Sequence, residues 1–302
     1  MKKQSDSDNQ IWNISELLKW TADYFQSNNI ESPRMGAELL LSHCLNVPRL
    51  NLYLQYDKPL LPEELRRYKL MIKRRIAREP VAYITGYKGF WTLDLAVSKN
   101  VLVPRPDTEC LVETALEMLR INPETPLNVL DLGTGSGAII LSLASEMPIN
   151  KYFAVDVSVE AIKVAKQNAE LNCPERNISF ISSSWFDGLV ENEMFDLIVS
   201  NPPYIPTKDI MELEPEIKEY EPFLALDGDV DGLKCVRHII EHAGNYLRPG
   251  GWLMIETGFD QKEAVLDIAY GVGGYSKVEY IRDFAGNNRV VRMQKTALTE
   301  TV

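Results

Sequence analysis

From Leu111 onward, short apolar runs alternate with stretches of helical period, and this alternation restricts the chain more than any other feature of its sequence. The runs are Val129-Leu130, residues 152–155, 178–181, 197–199 and 252–255, and Val290-Val291. Strands separated by helices build a mostly parallel, doubly wound α/β sheet with helices on both faces. Open sheets of this kind bind ligands at the carboxyl ends of their strands, so residues just after each run are the candidates for chemistry.

The first part of the chain has a different period. Between Ile14 and Arg78, apolar residues return every three or four positions: Leu17, Trp20 and Tyr24, then Leu39, Leu40 and Leu45, then Leu65, Tyr68, Ile72 and Ile76. This predicts a small helical domain over residues 11–78. Asn13 with Glu16 reads as a capping box, Ser32-Pro33 as a cap followed by a first-turn proline, and Pro62-Glu63-Glu64 as the opening of the last helix. From Val81 to Val103 the period shifts to two, with Leu93, Leu95 and Val97 on one face, and Lys99-Asn100 suits a turn. A β-hairpin linker is therefore expected over residues 79–104, ahead of a sheet domain at 105–297. The first ten residues read as a loose polar tail.

Composition narrows the class. With 45% hydrophobic and 25% charged residues the chain matches a soluble globular protein. No apolar run approaches the roughly 20 residues of a spanning helix, and the N-terminus lacks the apolar stretch of a secretory signal. Cys44, Cys110, Cys173 and Cys235 form no Cys-x-x-Cys pair, which argues against a zinc site or redox motif and fits a reducing, cytoplasmic setting. The net charge of −11 disfavours nucleic acid as a direct partner.

Residues 128–137, Asn-Val-Leu-Asp-Leu-Gly-Thr-Gly-Ser-Gly, run from a strand into a glycine loop, and 138–147 read as a helix. Glycines admit a ligand close to the backbone, and the helix start offers free N–H groups. Gly133, Thr134, Gly135, Ser136 and Gly137 are the candidate cofactor loop. Gly133-x-Gly135-x-x-Ala138 also satisfies the dinucleotide fingerprint, with Asp156 near the spacing of its ribose-binding acid. By itself the loop leaves a nicotinamide dinucleotide and S-adenosylmethionine both open. Asp156 would accept from two ribose hydroxyls in either case, or cap the helix that follows Ser158. Asp131 is a candidate for an amino group, and Trp185 for one face of an adenine, a core tryptophan being the competing reading.

Residues 195–200 read as a buried strand delivering Asn201, Pro202, Pro203 and Tyr204 to its carboxyl end. Methyl transfer from a sulfonium needs the target nitrogen's lone pair aligned with the carbon–sulfur bond, whereas an amide lone pair is delocalised into its carbonyl. Two acceptors are needed to hold the NH₂. The Asn201 side-chain oxygen and the Pro202 carbonyl suit that task, and proline fixes φ while adding no donor. The Tyr204 ring would stack on a planar amide and attract developing positive charge. Asn201 and Tyr204 are thus the candidate catalytic residues, with Asn201 also beside the cofactor.

With these residues in place, the chain resembles the HemK/PrmC family of release-factor glutamine methyltransferases. The similarity runs through Glu79-Pro80-Val81-Ala82-Tyr83-Ile84-Thr85-Gly86, Phe90, Val103-Pro104-Arg105-Pro106-Asp107-Thr108-Glu109, the glycine loop and Asn201 to Tyr204. It continues through Glu221-Pro222, Ala225-Leu226 and Arg282-Asp283-Phe284-Ala285-Gly286-x-x-Arg289-Val290. The resemblance implies a helical N-terminal domain, a hairpin linker and a seven-stranded Rossmann-like methyltransferase domain (class I) with one antiparallel edge strand. It implies S-adenosyl-L-methionine as cofactor and, as substrate, the glutamine of the Gly-Gly-Gln motif in class 1 peptide chain release factors. By position, Gly133 to Gly137, Asp156 and Trp185 would hold the cofactor, Asn201, Pro202, Pro203 and Tyr204 the glutamine amide, and Phe90 would line the pocket. Asp227-Gly228 stands where the family often has two glycines.

The alternative function is a nucleic-acid amino methyltransferase, because an adenine or cytosine NH₂ presents the same donors. A basic stripe, Arg66, Arg67, Lys69, Lys73, Arg74, Arg75 and Arg78, reads as a solvated helix face and as a candidate docking surface for the protein substrate. His238 and His242 have metal-compatible spacing, yet they fall off the apolar face made by Leu233, Val236, Ile240, Ala243 and Leu247, so no metal is expected.

Overall fold

The computed structural model of the protein describes residues 12–191 and 195–297, and the tail expected over the first ten residues lies outside them. Contacts divide the chain into two units, one up to Gly86 and one from Tyr87 onward.

The first unit contains α1 (Ile14–Ser27), α2 (Pro33–Leu45), α3 (Arg49–Leu54), α4 (Pro62–Ile76) and α5 (Val81–Thr85). Its capping box is present: Asn13 Oδ1 accepts the Glu16 N–H at 2.8 Å, and Glu16 Oε2 accepts the Asn13 N–H at 3.5 Å. Two donors of the first turn are thereby satisfied. Leu17, Leu18 and Phe25 then share a core with Leu40, Leu41, Leu52 and Tyr68. The fully buried Tyr68 donates its hydroxyl to the Ala37 carbonyl at 3.0 Å, so its polar tip is not stranded. Ser32 departs from expectation: it sits at φ +47° with no capping bond from its side chain, and Pro33 alone marks the start of α2. Alternation also begins later than its sequence suggests. Residues from Val81 fold as α5, framed by Pro80 and by Gly86 at φ +80°, which closes the helix in the left-handed region.

The basic stripe of α4 is not one free face. Arg66 pairs with Glu63 at 2.8 Å, Arg74 pairs with Glu79, Arg75 is buried, and Arg78 donates to the Asn28 and Asn29 carbonyls. Charge reversal at Arg74 and Arg75 would therefore perturb this unit's own fold.

The second unit opens with the hairpin β1 (Tyr87–Phe90) and β2 (Leu93–Ala96) and continues with α6 (Glu109–Leu119), β3 (Asn128–Leu132), α7 (Ala138–Glu146), β4 (Lys151–Asp156), α8 (Val159–Asn172) and β5 (Ile178–Ser182). It ends with β6 (Phe195–Ser200), α9 (Pro215–Lys218), α10 (Lys234–Ala243), β7 (Leu247–Glu256), α11 (Lys262–Val272), β8 (Tyr275–Arg282) and β9 (Asn288–Lys295). The seven-stranded sheet has the order β5-β4-β3-β6-β7-β9-β8. Strands from β5 to β7 are parallel, and β9 runs against both neighbours. The antiparallel strand thus lies one place in from the edge, not at the edge, because β8 closes the sheet outside it.

Val129, Leu197, Val199 and Met254 face a core shared with α6, α7 and α8, whereas Leu130, Ile198, Leu253 and Ile255 face one shared with α10 and α11. Both faces are covered, which is why the parallel strands read as unbroken apolar runs. After β3 the chain passes to β4 on one side and later to β6 on the other, leaving a crevice at the carboxyl ends. The hairpin belongs to this unit and is not an independent linker. Asn168 on α8 accepts the Ala96 N–H at 2.7 Å and donates to the carbonyls of Ala96 at 3.0 Å and Ser136 at 2.8 Å, tying β2 to the glycine loop.

Candidate active site

The crevice is a cavity of about 680 Å³ whose wall includes Gly133, Thr134, Gly135, Ser136, Asp156, Trp185, Asn201 and Pro203. The loop leaving β3 is held by the Gly133 and Thr134 N–H groups, which donate to the Val155 carbonyl at 2.8 and 2.9 Å. Gly133, Gly135 and Gly137 take φ values of +72°, +56° and +84°. Only glycine enters that region without penalty. At Gly133 an added Cβ would meet the Trp185 ring at 3.7 Å. Gly137, expected on the cofactor wall, is instead buried at the start of α7. A Cβ there would lie 2.9 Å from Leu141 Cδ1, so Gly137 shapes the turn and does not line the cavity.

Asp156 ends β4 with its Oδ2 accepting the Gly135 N–H at 2.9 Å and its Oδ1 accepting the Ser158 N–H at 2.8 Å. Burial pushes this carboxyl up, while the Ser158 and Gly135 amides pull it down. Each oxygen keeps a lone pair for a further donor. The cap of α8 is Ser158, whose Oγ accepts the Ala161 N–H at 3.2 Å, so Asp156 is left to the cavity. Asp131 on β3 is fully buried. Its Oδ2 accepts the Thr134 hydroxyl at 2.7 Å, and its Oδ1 has no partner among the described residues. Burial pushes it up to about 7, opposed by Thr134 and assisted by the charge of Asp156. Trp185, at φ +42°, lines the cavity and also packs against the α10–α11 core.

Asn201 follows β6, and its Nδ2 donates to Thr108 Oγ1 at 3.1 Å. Its Oδ1 has no bonded partner among the described residues, and the side chain lines the cavity. Pro203 lies on the wall too, whereas Pro202 is buried. Tyr204 stands behind the wall: its hydroxyl lies 3.4 Å from Glu256 Oε1, and its carbonyl accepts from Gln261 Nε2 at 2.9 Å. Burial, then the charge of Glu256, push its hydroxyl up. Tyr204, expected to stack on the substrate amide, is thus tethered at its hydroxyl and is not among the residues of the cavity wall. Phe90 is also corrected: it is 3% exposed and belongs to the core around Leu95 and Leu111, off the cavity wall.

Three groups carry little sequence signal as site residues. Thr108 sits in the 103–109 motif, Glu256 only ends an apolar run, and Arg105 donates to the buried Glu221 at 2.6 Å, joining two segments of the cavity rim. Gly232 supports the same region: at φ +73°, its Cβ position lies 2.5 Å from the Tyr204 carbonyl oxygen. Gly232→Ala is expected to lower stability by about 2–4 kcal/mol through strain and backbone clash. An unchanged melting temperature would refute this.

His238 is half-buried beside Trp185 and Phe186, and His242 Nδ1 lies 2.8 Å from the His238 carbonyl. No helix among the described residues is long and apolar enough to cross a membrane.

Comparison with known proteins agrees with this geometry. The PrmC N-terminal domain matches residues 16–86, and a methyltransferase domain matches residues 123–284. The chain is 44% identical to a release factor glutamine methyltransferase of Geobacter sulfurreducens, covering 93% of this chain and 96% of that protein. It is 42% identical to one of Aliivibrio fischeri, covering 92% and 95%. Among solved structures, the hMettl16 catalytic domain, in complex with a MAT2A 3′UTR hairpin, aligns with a TM-score of 0.55 at 17% identity, covering 82% of this chain and 87% of that one, a likeness of fold.

Proposed function

Because the chain belongs to the release factor glutamine methyltransferase family, whose members are S-adenosylmethionine-dependent enzymes, we propose that it methylates the side-chain amide nitrogen of the Gly-Gly-Gln glutamine in class 1 peptide chain release factors. The observation that carries this reading is the Asn201 carboxamide, whose nitrogen is held by Thr108 and whose oxygen is left toward the cavity. An acceptor aimed at the reacting centre is what an NH₂ substrate needs. A nucleic-acid substrate is not part of the proposal, and a cytoplasmic location follows from a substrate that acts in translation.

The residues present fit the cofactor. Asp156 offers two lone pairs for ribose hydroxyls, the orphaned Asp131 oxygen suits a cationic amino group, and the glycine loop admits close backbone approach. Bound there, S-adenosylmethionine supplies a sulfonium methyl as electrophile. Asn201 Oδ1 accepts one N–H of the substrate amide, which helps turn the nitrogen's electrons toward the cofactor and favours positive charge as it develops; Pro202, expected as the second acceptor, lies off the cavity wall. No base is required beforehand, because the nitrogen becomes acidic only after alkylation.

The test is mass spectrometry of a release factor incubated with the protein and S-adenosylmethionine, with DNA and RNA as parallel substrates. One added methyl on the Gly-Gly-Gln peptide is expected; methyl transfer to nucleic acid alone would overturn the proposal. A second expectation concerns pH. Burial pushes the Asp131 carboxyl up to about 7, and an ammonium partner favours its ionised form. Cofactor affinity should therefore hold above that pH and fall by about tenfold per unit below it. Calorimetry across pH 5–8 reads this, and a flat affinity would exclude Asp131 as the amine acceptor.

A further inference from the structure

Between β6 and α10 the chain makes a long excursion, part of which returns to the mouth of the crevice. Residues Phe223–Ala225 form one turn of 3-10 helix, and Phe223 and Leu224 line the cavity while remaining 56% and 62% exposed. Neither packs into the core on either face of the sheet, whereas Leu226 is buried. Large apolar side chains held exposed at the rim of a cavity mark a contact surface for what enters it.

The turn is anchored on both sides to the segment that carries Asn201. The Ala225, Leu226 and Asp227 N–H groups donate back to the Pro222 and Phe223 carbonyls at 2.9–3.0 Å. Ile205, the residue after the 201–204 segment, donates its N–H to the Leu226 carbonyl at 3.1 Å, and its own carbonyl accepts the Gly228 N–H at 2.8 Å. Before the turn, the buried Glu221 accepts from Arg105 at 2.6 Å, in the same 103–109 stretch whose Thr108 accepts from Asn201. Phe223 and Leu224 are thus fixed relative to the acceptor that meets the substrate nitrogen.

Sheet order separates this rim from the cofactor. The glycine loop, Asp156 and Trp185 follow β3, β4 and β5, which occupy one half of the sheet, while Asn201 and the excursion follow β6 on the other. A glutamine amide nitrogen lies only about 5 Å from its own Cα at ordinary bond lengths. A substrate nitrogen bonded to Asn201 Oδ1 therefore draws the main chain around its glutamine down to the mouth of the cavity. We propose that Phe223 and Leu224 seat the main chain of the two residues preceding the target glutamine and select for glycine there. The inference rests on the proposed function and deepens it. Without a Cβ, a glycine backbone lies directly against a ring or a branched side chain. A larger residue holds that backbone away, and a misplacement of about 1 Å at the reacting atoms is enough to cost much of the rate.

The experiment uses the full chain and a release-factor domain carrying Gly-Gly-Gln, Ala-Gly-Gln or Gly-Ala-Gln. With the wild type, at least one of the alanine substrates should lose about tenfold or more in kcat/KM. Phe223→Ala and Leu224→Ala should each raise KM for the Gly-Gly-Gln domain about tenfold, with kcat and the Kd for S-adenosylmethionine within about threefold, and at least one of them should narrow the discrimination against alanine to about threefold. Ile121→Ala is the control, because Ile121 is 72% exposed in the turn between α6 and β3, at the opposite end of the strands; it should change neither KM nor discrimination. Independently of turnover, calorimetry of the Gly-Gly-Gln domain against protein loaded with S-adenosylhomocysteine should show the same loss of affinity in the two variants. Unchanged KM in both variants, discrimination that persists in both, or a cofactor Kd that rises in step with KM would each overturn the inference while leaving the proposed function standing. A wild type that methylates none of the three substrates would overturn both together.

Discussion

Asn201→Ala is expected to lower kcat by about 10²–10³-fold while leaving the affinity for S-adenosylmethionine within a few-fold of wild type. Removing the side chain deletes the acceptor that holds the substrate nitrogen, and that contact strengthens as charge develops there, so the loss falls mainly on the transition state. It also leaves the Thr108 oxygen without the donor now 3.1 Å away. The check is steady-state turnover on a release factor together with cofactor titration by calorimetry. Turnover near that of the wild type would remove Asn201 from the chemistry, and a parallel collapse of cofactor binding would make its role structural.

Asp156 should separate binding from chemistry in the opposite sense. Asp156→Ala removes acceptors for two ribose hydroxyls, and hydrogen bonds to a charged group are worth about 1.5–3 kcal/mol each, so cofactor Kd should rise by roughly 100-fold or more. The same change frees the Gly135 and Ser158 N–H groups that now donate to this carboxylate, loosening the glycine loop. Asp156→Asn, which keeps one acceptor, should lie between the two. At saturating cofactor, kcat should recover to within a few-fold in both. An unaltered Kd in the alanine variant would place the ribose elsewhere.

How much of this was legible before the structure depends on where the signal lies along the chain. The parallel strands were readable because burial on both faces forces unbroken apolar runs, and each of the six runs falls inside a strand of the sheet. Strand β8 was not, since only one neighbour covers it and its exposure is mixed. The short helix α5 hides in a stretch too brief for a period to show, although Pro80 and Gly86 mark its ends. In the site, Gly133 to Ser136, Asp156, Trp185, Asn201 and Pro203 lie on one cavity wall, as local motifs suggested. Gly137, Pro202, Tyr204 and Phe90 do not, because sequence proximity to a motif does not tell which side chains turn back into the core. Glu256 escaped notice for a related reason: its partner Tyr204 is distant in sequence, and only the fold brings the two together.

The order of the sheet has a consequence for the life of the chain. Strand β9 leaves the ribosome after every other strand of this sheet, yet it takes an interior place, inserted between two strands made before it. Until it arrives, β7 has an unpaired flank, and a product cut short before Asn288 would lose an interior strand and leave β8 without its one neighbour in the sheet. Late truncations should thus be as damaging as early ones.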